Sequence, residues 1–290
     1  MIQKKAHNFH TYKIECEHKD EKWFLLTGDW HFDNPKTNRK LLFKHLEQAK
    51  ERNAKIIING DMLCLMQGKY DPRKNKSAIL PEHNNDRYLD AVIYDTAEKM
   101  LPYAEYILQI NTGNHESSVS QRAETDILMR LVERINALAN TNIQLGAYMG
   151  YMNIVLYFNG KSKKEKEKFN NSKPVNIAYD HGHWGGVITK GALSVSRHAS
   201  IFPDADVIMS GHTHDGWVMT HNRYVMNHYK SKVQVKKQWH VKTGTYKEEF
   251  DTGNGWAVEK IGMPKHLGSC WMRVIYNSKK DNELEFTMTS

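Results

Sequence analysis

Eight residues in this chain are of types that hold divalent ions or move protons, and their order along the sequence says more than any one of them. Asp29 and His31 follow the run Phe24-Leu25-Leu26-Thr27, and Asp61 follows Ile56-Ile57-Ile58-Asn59. Asn114 and His115 follow the stretch from Tyr106 to Thr112, and His181 follows Val175 to Tyr179. His212 and His214 follow Val207-Ile208-Met209-Ser210. A carboxylate can bridge two divalent ions while imidazole and amide oxygen fill the remaining positions. Two ions about 3.5–4 Å apart clamp a phosphoryl group and activate a water. A single ion would not need so many ligands, so their number favours a pair. Taken singly the motifs are weak: Gly-Asp after a strand is usually a turn, and an isolated Asn-His is commonly a loop or cap pair. Gly211-His212-Thr213-His214 is stronger, because two histidines at i and i+2 directly after a strand suggest ligation. The recurrence of such residues after each apolar run is the signal.

Those runs must be the elements that position the site. Short apolar stretches bounded by turn residues read as strands buried on both faces, and ligand sites in open α/β sheets form in loops beyond strand C-termini. Helical spacing is expected over Lys40 to Arg52, Asp90 to Met100 and Glu124 to Ala139. In the last, Leu128, Leu131, Val132, Ile135 and Leu138 form a stripe read as core packing. Alternation of strand and helix predicts an α/β layered fold. Beyond about residue 215 the pattern turns strand-like, with a late strand at Cys270 to Tyr276 that Asn282 to Thr289 is expected to join. No repeat or flexible linker divides the chain. The expectation is one domain over 1–290 with loop insertions near 67–87 and 160–173.

The ordered series Asp29-x-His31, Gly60-Asp61, Gly113-Asn114-His115-Glu116, His181-Gly182 and Gly211-His212-Thr213-His214 resembles the calcineurin-like metallophosphoesterase superfamily. Within it the chain is most similar to bacterial and bacteriophage phosphoesterases and, distantly, to break-repair exonucleases, whose long capping domain is not evident. Thr243-Gly244-Thr245-Tyr246 resembles the Gly-Ser/Thr turn that follows the series in many members. The resemblance implies a layered β-sandwich flanked by helices, with a dinuclear metal site at the strand C-terminal loops. One ion would be held by Asp29, His31, Asp61 and His214, the other by Asp61, Asn114, His181 and His212, with Asp61 bridging. A metal-bound hydroxide would attack phosphorus in line, without a covalent enzyme intermediate. His115 would bind no metal and would protonate or stabilise the leaving oxygen, a role that suits imidazole. Glu116 stands where the family commonly has Asp, and a supporting role is expected for it. His183 is the alternative to His181. Asp33 and Asp215 either orient ligand imidazoles or are solvated loop carboxylates. Manganese is the first expectation for the ions, with iron, zinc and nickel as alternatives, because such mixed ligands do not choose among them.

Composition narrows the class. The chain has 290 residues, 40% hydrophobic, 10% aromatic and 26% charged, which is globular and not disordered composition. No apolar run approaches the roughly 20 residues of a membrane-spanning helix. The first residues lack the apolar stretch of a secretory signal. Three cysteines without CxxC spacing suit a reducing cytoplasm. The net charge of +8 is uneven: Gly216 to Lys247 contains no Asp or Glu but carries Arg223, Lys230, Lys232, Lys236, Lys237, Lys242 and Lys247. Gly160 to Lys173 carries six lysines against Glu165 and Glu167, read as a loop, so the remainder of the chain is mildly acidic. Trp217, Tyr224, Tyr229, Trp239 and Tyr246 are interleaved with the first set, which suits phosphate neutralisation and base stacking on DNA or RNA. Arg223, Lys230, Lys232, Lys236 and Lys237 are therefore candidate substrate contacts. The competing reading is a twisted antiparallel hairpin with solvated lysines and core aromatics. A metal-dependent phosphodiesterase or nuclease is expected first, a phosphomonoesterase second, and a non-catalytic scaffold last, since decay would have erased ligands.

Overall fold

A computed structural model describes residues 3–6, 8–66, 78–158, 172–183, 189–227, 231–250, 258, 262–277 and 281–290. The expected insertion at 160–173 lies almost wholly outside these residues, as does the first half of that at 67–87. The strands are β1 (Gln3–Ala6), β2 (Phe9–Glu15), β3 (Glu21–Thr27), β4 (Lys55–Asn59), β5 (Ile107–Asn111), β6 (Gln144–Gly146) and β7 (Met149–Tyr157). They continue with β8 (Ser172–Asp180), β9 (Val207–Ser210), β10 (Gly216–Asn227), β11 (Lys232–Thr243), β12 (Ser269–Ile275) and β13 (Glu283–Thr289). The α-helices among the described residues are α1 (Arg39–Glu51), α2 (Tyr88–Met100), α3 (Asn114–Ala123), α4 (Ile127–Ala139) and α5 (Ser194–Ile201). None is long and apolar enough to cross a membrane.

The run Ile56-Ile57-Ile58 shows how sequence makes layers. Side chains alternate across a strand, so Ile56 and Ile58 join Leu42, Leu46, Val92, Leu128 and Leu131 under the helices. Ile57 points the other way, into a second core with Phe24, Leu26, Met209, Val241 and Met272 between the sheets. One sheet has the order β13-β12-β3-β4-β5-β6, with β3 to β6 parallel. The other has the order β1-β2-β7-β8-β9-β11-β10. Phe202, at the end of α5, and Ala205 pack with Ala178 and Ile208 in a third, smaller core of the second sheet. The expected α/β sandwich flanked by helices is the observed architecture.

Local chemistry sets the helix ends. Asn38 caps α1 by accepting the Leu41 N–H at 2.8 Å, and Asp126 caps α4 by accepting the Met129 N–H at 2.9 Å. The helix expected from Glu124 therefore starts three residues later. Glu124 itself is left-handed (φ 52°) and closes a separate helix, α3, that begins on the Asn114 loop. The apolar stripe of α4 ends at Ile135, because Leu138 is 52% exposed.

Candidate metal centre

The eight residues meet where the C-terminal ends of β3, β4, β5, β8 and β9 converge, so both sheets contribute. Backbone bonds tie the loops together: Asp29 N–H to Gly60 O at 3.0 Å, His31 N–H to Asp61 O at 3.0 Å, and Gly211 N–H to His181 O at 3.0 Å. Asp29 Oδ2 accepts the His212 N–H at 2.9 Å, linking the first loop to the last. Asp29, His31, Asp61, His212 and His214 all have positive φ, between 47° and 71°. Such backbone costs about 1–3 kcal/mol per residue and persists where surrounding structure over-determines it, typically at functional sites. Its concentration on these residues is independent of their side-chain chemistry.

Donor atoms of the expected ligands form two groups, Asp29–His31–His214 and Asp61–His181–His212, each with atoms within 4.8 Å of one another, and a third such group joins His31 to Cys64 and His115. In the first, His31 Nε2 lies 3.0 Å from His214 Nε2, and Asp29 Oδ1 lies 3.5 Å from the latter. In the second, Asp61 Oδ2 lies 3.2 Å from His181 Nε2, and Asn114 Oδ1 lies 3.1 Å from His181 Nε2 and 2.8 Å from His212 Nδ1. Asp29 Oδ1 also lies 4.0 Å from His181 Nε2, so the groups adjoin. Asp29 Oδ1 and His31 Nδ1 are buried without a hydrogen-bond partner. Unpaired buried acceptors are costly, and carboxylate with imidazole is a donor set suited to divalent ions; the residues fit such ions. His181 is fully buried in the second group, whereas His183, two residues on, is exposed.

Charge in the centre is concentrated on Asp61 and His181. Burial works to raise the Asp61 carboxyl, yet His181 and His115 hold it well below the usual range. Burial likewise works to lower His181, and Asp61 overcomes it to raise the imidazole to about 10. Burial and the neighbouring imidazoles keep His31 well below the ordinary histidine value. Burial, aided by His181, brings His212 down to about 4.

His115 sits in the first turn of α3, and its N–H donates to Asp61 Oδ1 at 2.9 Å. Its Nδ1–H donates to Cys64 O, which turns Nε2 toward Asp61 Oδ2, 3.8 Å away. His115 thus faces the ligand groups without belonging to either of the two. Glu116, buried, accepts N–H bonds from Gly113 (2.9 Å), Asp61 (3.2 Å) and Leu63 (2.9 Å), clamping two loops. Burial and the Asp61 charge push its carboxyl up to about 8.

Several supports lie outside the ligand series; Thr245 belongs to the turn singled out in the sequence, whereas Asn59, Tyr148 and Thr37 had no such signal. Asn59 O accepts the His181 Nδ1–H at 2.9 Å, and the Tyr148 ring meets the His181 ring edge-on at 5.5 Å. Thr245 Oγ1 donates to Asp29 O at 2.8 Å, and Thr37 Oγ1 donates to His31 O at 2.6 Å. Asp33 is neither solvated nor bonded to an imidazole: it is buried and accepts N–H bonds from Cys64 and Leu65 and the Tyr88 hydroxyl. Asp215 is also buried and pairs with Lys265 at 3.1 Å. Both expectations for these two carboxylates are corrected, because loop backbone and a lysine compete for them. Gly113 abuts Asp61 so closely that a Cβ there would collide with Asp61 N and Oδ1. Gly113→Ala is therefore expected to displace Asp61 and to raise the Kd for the ions at least about tenfold, a loss near 1.4 kcal/mol, read by metal titration of the stripped protein.

The basic segment divides. β11 runs parallel to β9, pairing Trp239 with Val207 and Lys242 with Ser210, so Lys242 is at the metal end. Lower numbers run past the start of β9, away from the ligands. At about 3.3 Å per residue, Lys237 is roughly 16 Å and Lys232 roughly 33 Å along the strand from Lys242. Arg223 pairs opposite Lys236 on the same distal half. Lys230 lies outside the described residues. Tyr224, Met226, Val233 and Val235 are exposed on this half, and Lys237 Nζ lies 5.0 Å above the Trp239 ring. Arg223, Lys232, Lys236 and Lys237 are therefore gathered with one another but not with the metal ligands.

A family model for calcineurin-like phosphoesterase matches residues 22–216, which include all eight site residues. No curated protein matches the sequence. Among solved structures, a conserved uncharacterised protein of Streptococcus pneumoniae TIGR4, described as a predicted phosphoesterase, aligns over 93% of this chain and 99% of its own. Its identity is 9% and its TM-score 0.32. GAP50, the anchor in the inner membrane complex of Plasmodium, aligns over 92% of this chain and 84% of its own, at 10% identity and a TM-score of 0.36.

Proposed function

The chain belongs to the calcineurin-like phosphoesterase family and is thereby a metal-dependent hydrolase of phosphoester bonds; from this we propose that it is a dinuclear phosphodiesterase acting on nucleic acid or nucleotides. The observation that carries the dinuclear part is the pair of adjoining donor groups with Asp61 beside both His181 and His115. Asp29, His31 and His214 would hold one ion, Asn114, His181 and His212 the other, and Asp61 would serve both; manganese is the proposed metal. When bound, such ions polarise phosphoryl oxygens and provide a nucleophile from water at neutral pH. The chain's own residues do the rest. Asn59 O fixes His181 through Nδ1, leaving Nε2 toward Asp61 and Asn114. Cys64 O fixes His115 in the same manner, so that a proton on its Nε2 faces the site and passes to the leaving oxygen. Glu116 keeps the Asp61 and Asn114 loops in register. We assign these roles within a single domain spanning the chain, and the free, buried Cys16, Cys64 and Cys270 support a cytoplasmic location.

The exposed, basic distal ribbon, with Tyr224 as its exposed aromatic among the described residues, supports a polymeric substrate, since a strand of several nucleotides spans the distance from the ligands, whereas Tyr246 and Trp239 pack into the cores. Neutralising Lys230, Lys232, Lys236 and Lys237 together is expected to weaken polynucleotide binding and to flatten its salt dependence, by up to about three units of slope for a single strand. Hydrolysis of a small model ester should not change, because the ribbon's distal half is remote from the ligands. The same remoteness favours a second reading, a phosphomonoesterase for small substrates. Turnover of a model diester and a model monoester with Mn²⁺, alongside single- and double-stranded DNA and RNA, decides between them. Exclusive monoester turnover overturns the diesterase.

A further inference from the structure

Of the seven cations in the basic segment, Lys247 is fixed against the ligand loops. Thr245 Oγ1 accepts the Lys247 N–H at 3.1 Å while donating to Asp29 O. Tyr246 N–H also reaches Asp29 O, at 3.2 Å. Lys247 then pairs across an isolated antiparallel bridge with Thr37, the residue whose hydroxyl holds His31 O. On the following residue, Glu248 N–H donates to Lys36 O at 2.8 Å. The turn is therefore pinned from both sides to the loop that carries Asp29 and His31.

The side chain ends in an ion pair, Lys247 Nζ to Glu249 Oε1 at 2.7 Å, with each side chain only 17% exposed. The ammonium charge is felt at His31 and Cys64, and the Asp61 charge is felt at Lys247. Cys64, His31 and His115 bring donor atoms within 4.8 Å of one another, so that charge acts on the side of the site where His31 and His115 meet. A cation there opposes the binding of further cations, so it has no use as support for metal ligands. Ion pairs this far from water recover little of their desolvation cost, and a single carboxylate partner is exchangeable for another anion. Ammonium groups are effective point-charge partners for phosphate.

We propose that Lys247 binds a non-bridging oxygen of the substrate's phosphoryl group, leaving Glu249 to do so, and that Glu249 sets how tightly the phosphoryl group is held. The inference rests on the phosphoesterase reading above and names a binding residue for it. Glu249 acts through Lys247 and is a positioning residue.

The test is calorimetric binding of inorganic phosphate to Mn²⁺-loaded wild type, Lys247→Met and Glu249→Gln, with metal content measured on each sample. Lys247→Met is expected to weaken phosphate about 10- to 100-fold, the worth of a charge-assisted hydrogen bond, with metal content retained. Glu249→Gln is expected to tighten phosphate severalfold, about the opposite direction, and to lower KM for a model ester more than it changes kcat. Phosphate binding to Lys247→Met within twofold of wild type overturns the proposal. So does equal weakening in both variants, the result of a merely structural pair. Lys247-dependent phosphate binding in a protein that hydrolyses no ester upholds this inference and removes the phosphodiesterase assignment instead.

Discussion

Asp61→Ala is expected to empty both ion positions and to lower phosphoester turnover by at least about four orders of magnitude, or about 5.5 kcal/mol of transition-state stabilisation. Asp61 is buried, held well below the ordinary carboxyl range, and close to His181 Nε2. It also accepts the His115 N–H. Alanine removes the one carboxylate shared by the proposed ions, so neither keeps its full set of ligands. Metal content by elemental analysis, measured with circular dichroism as a check on folding, reads the effect. Asp61→Asn separates charge from shape, since the amide oxygen still accepts the His115 N–H; it should retain the fold while losing most of the metal. Retention of two tightly held ions in either variant would contradict the bridging assignment.

His115→Ala is expected to behave in the opposite way, keeping metal content while kcat falls about 10²–10⁴-fold, the usual worth of general acid catalysis. The imidazole stands outside the two ligand groups, tethered through Nδ1 to Cys64 O and with Nε2 facing Asp61. Its loss should be smallest for esters with good leaving groups, because these need no proton, and largest for alkyl leaving groups. A variant that loses metal, or that loses the same factor for both leaving groups, would place His115 among the ligands or outside the chemistry.

Which parts of this were legible beforehand follows from the range of the interactions. The strands were legible because two-sided burial forces apolar runs such as Ile56-Ile57-Ile58, and the ligand loops because each follows such a run. The start of α4 was misplaced by three residues because Asp126 is a better cap than Glu124, and because α3 is nucleated on the Asn114 loop by Gly113 and Glu116. The role of Asp33 was hidden because its partners, Cys64, Leu65 and Tyr88, are remote in sequence. The direction of the basic ribbon was hidden for the same reason: it depends on β11 lying parallel to β9. Composition placed a patch of charge after His214, but strand register sent most of it the other way. Lys247 was left at the centre through its bridge to Thr37 and the bonds of Thr245 and Tyr246 to Asp29 O.

The most direct test of the dinuclear centre is a Mn²⁺ titration of the metal-stripped protein in which bound ions per chain and hydrolysis of a model phosphodiester are read on the same samples. Two ions per chain, with turnover rising fully only as the second is taken up, is the expected result. Full turnover at one ion per chain, or two ions bound with no hydrolysis of any phosphoester, would contradict it.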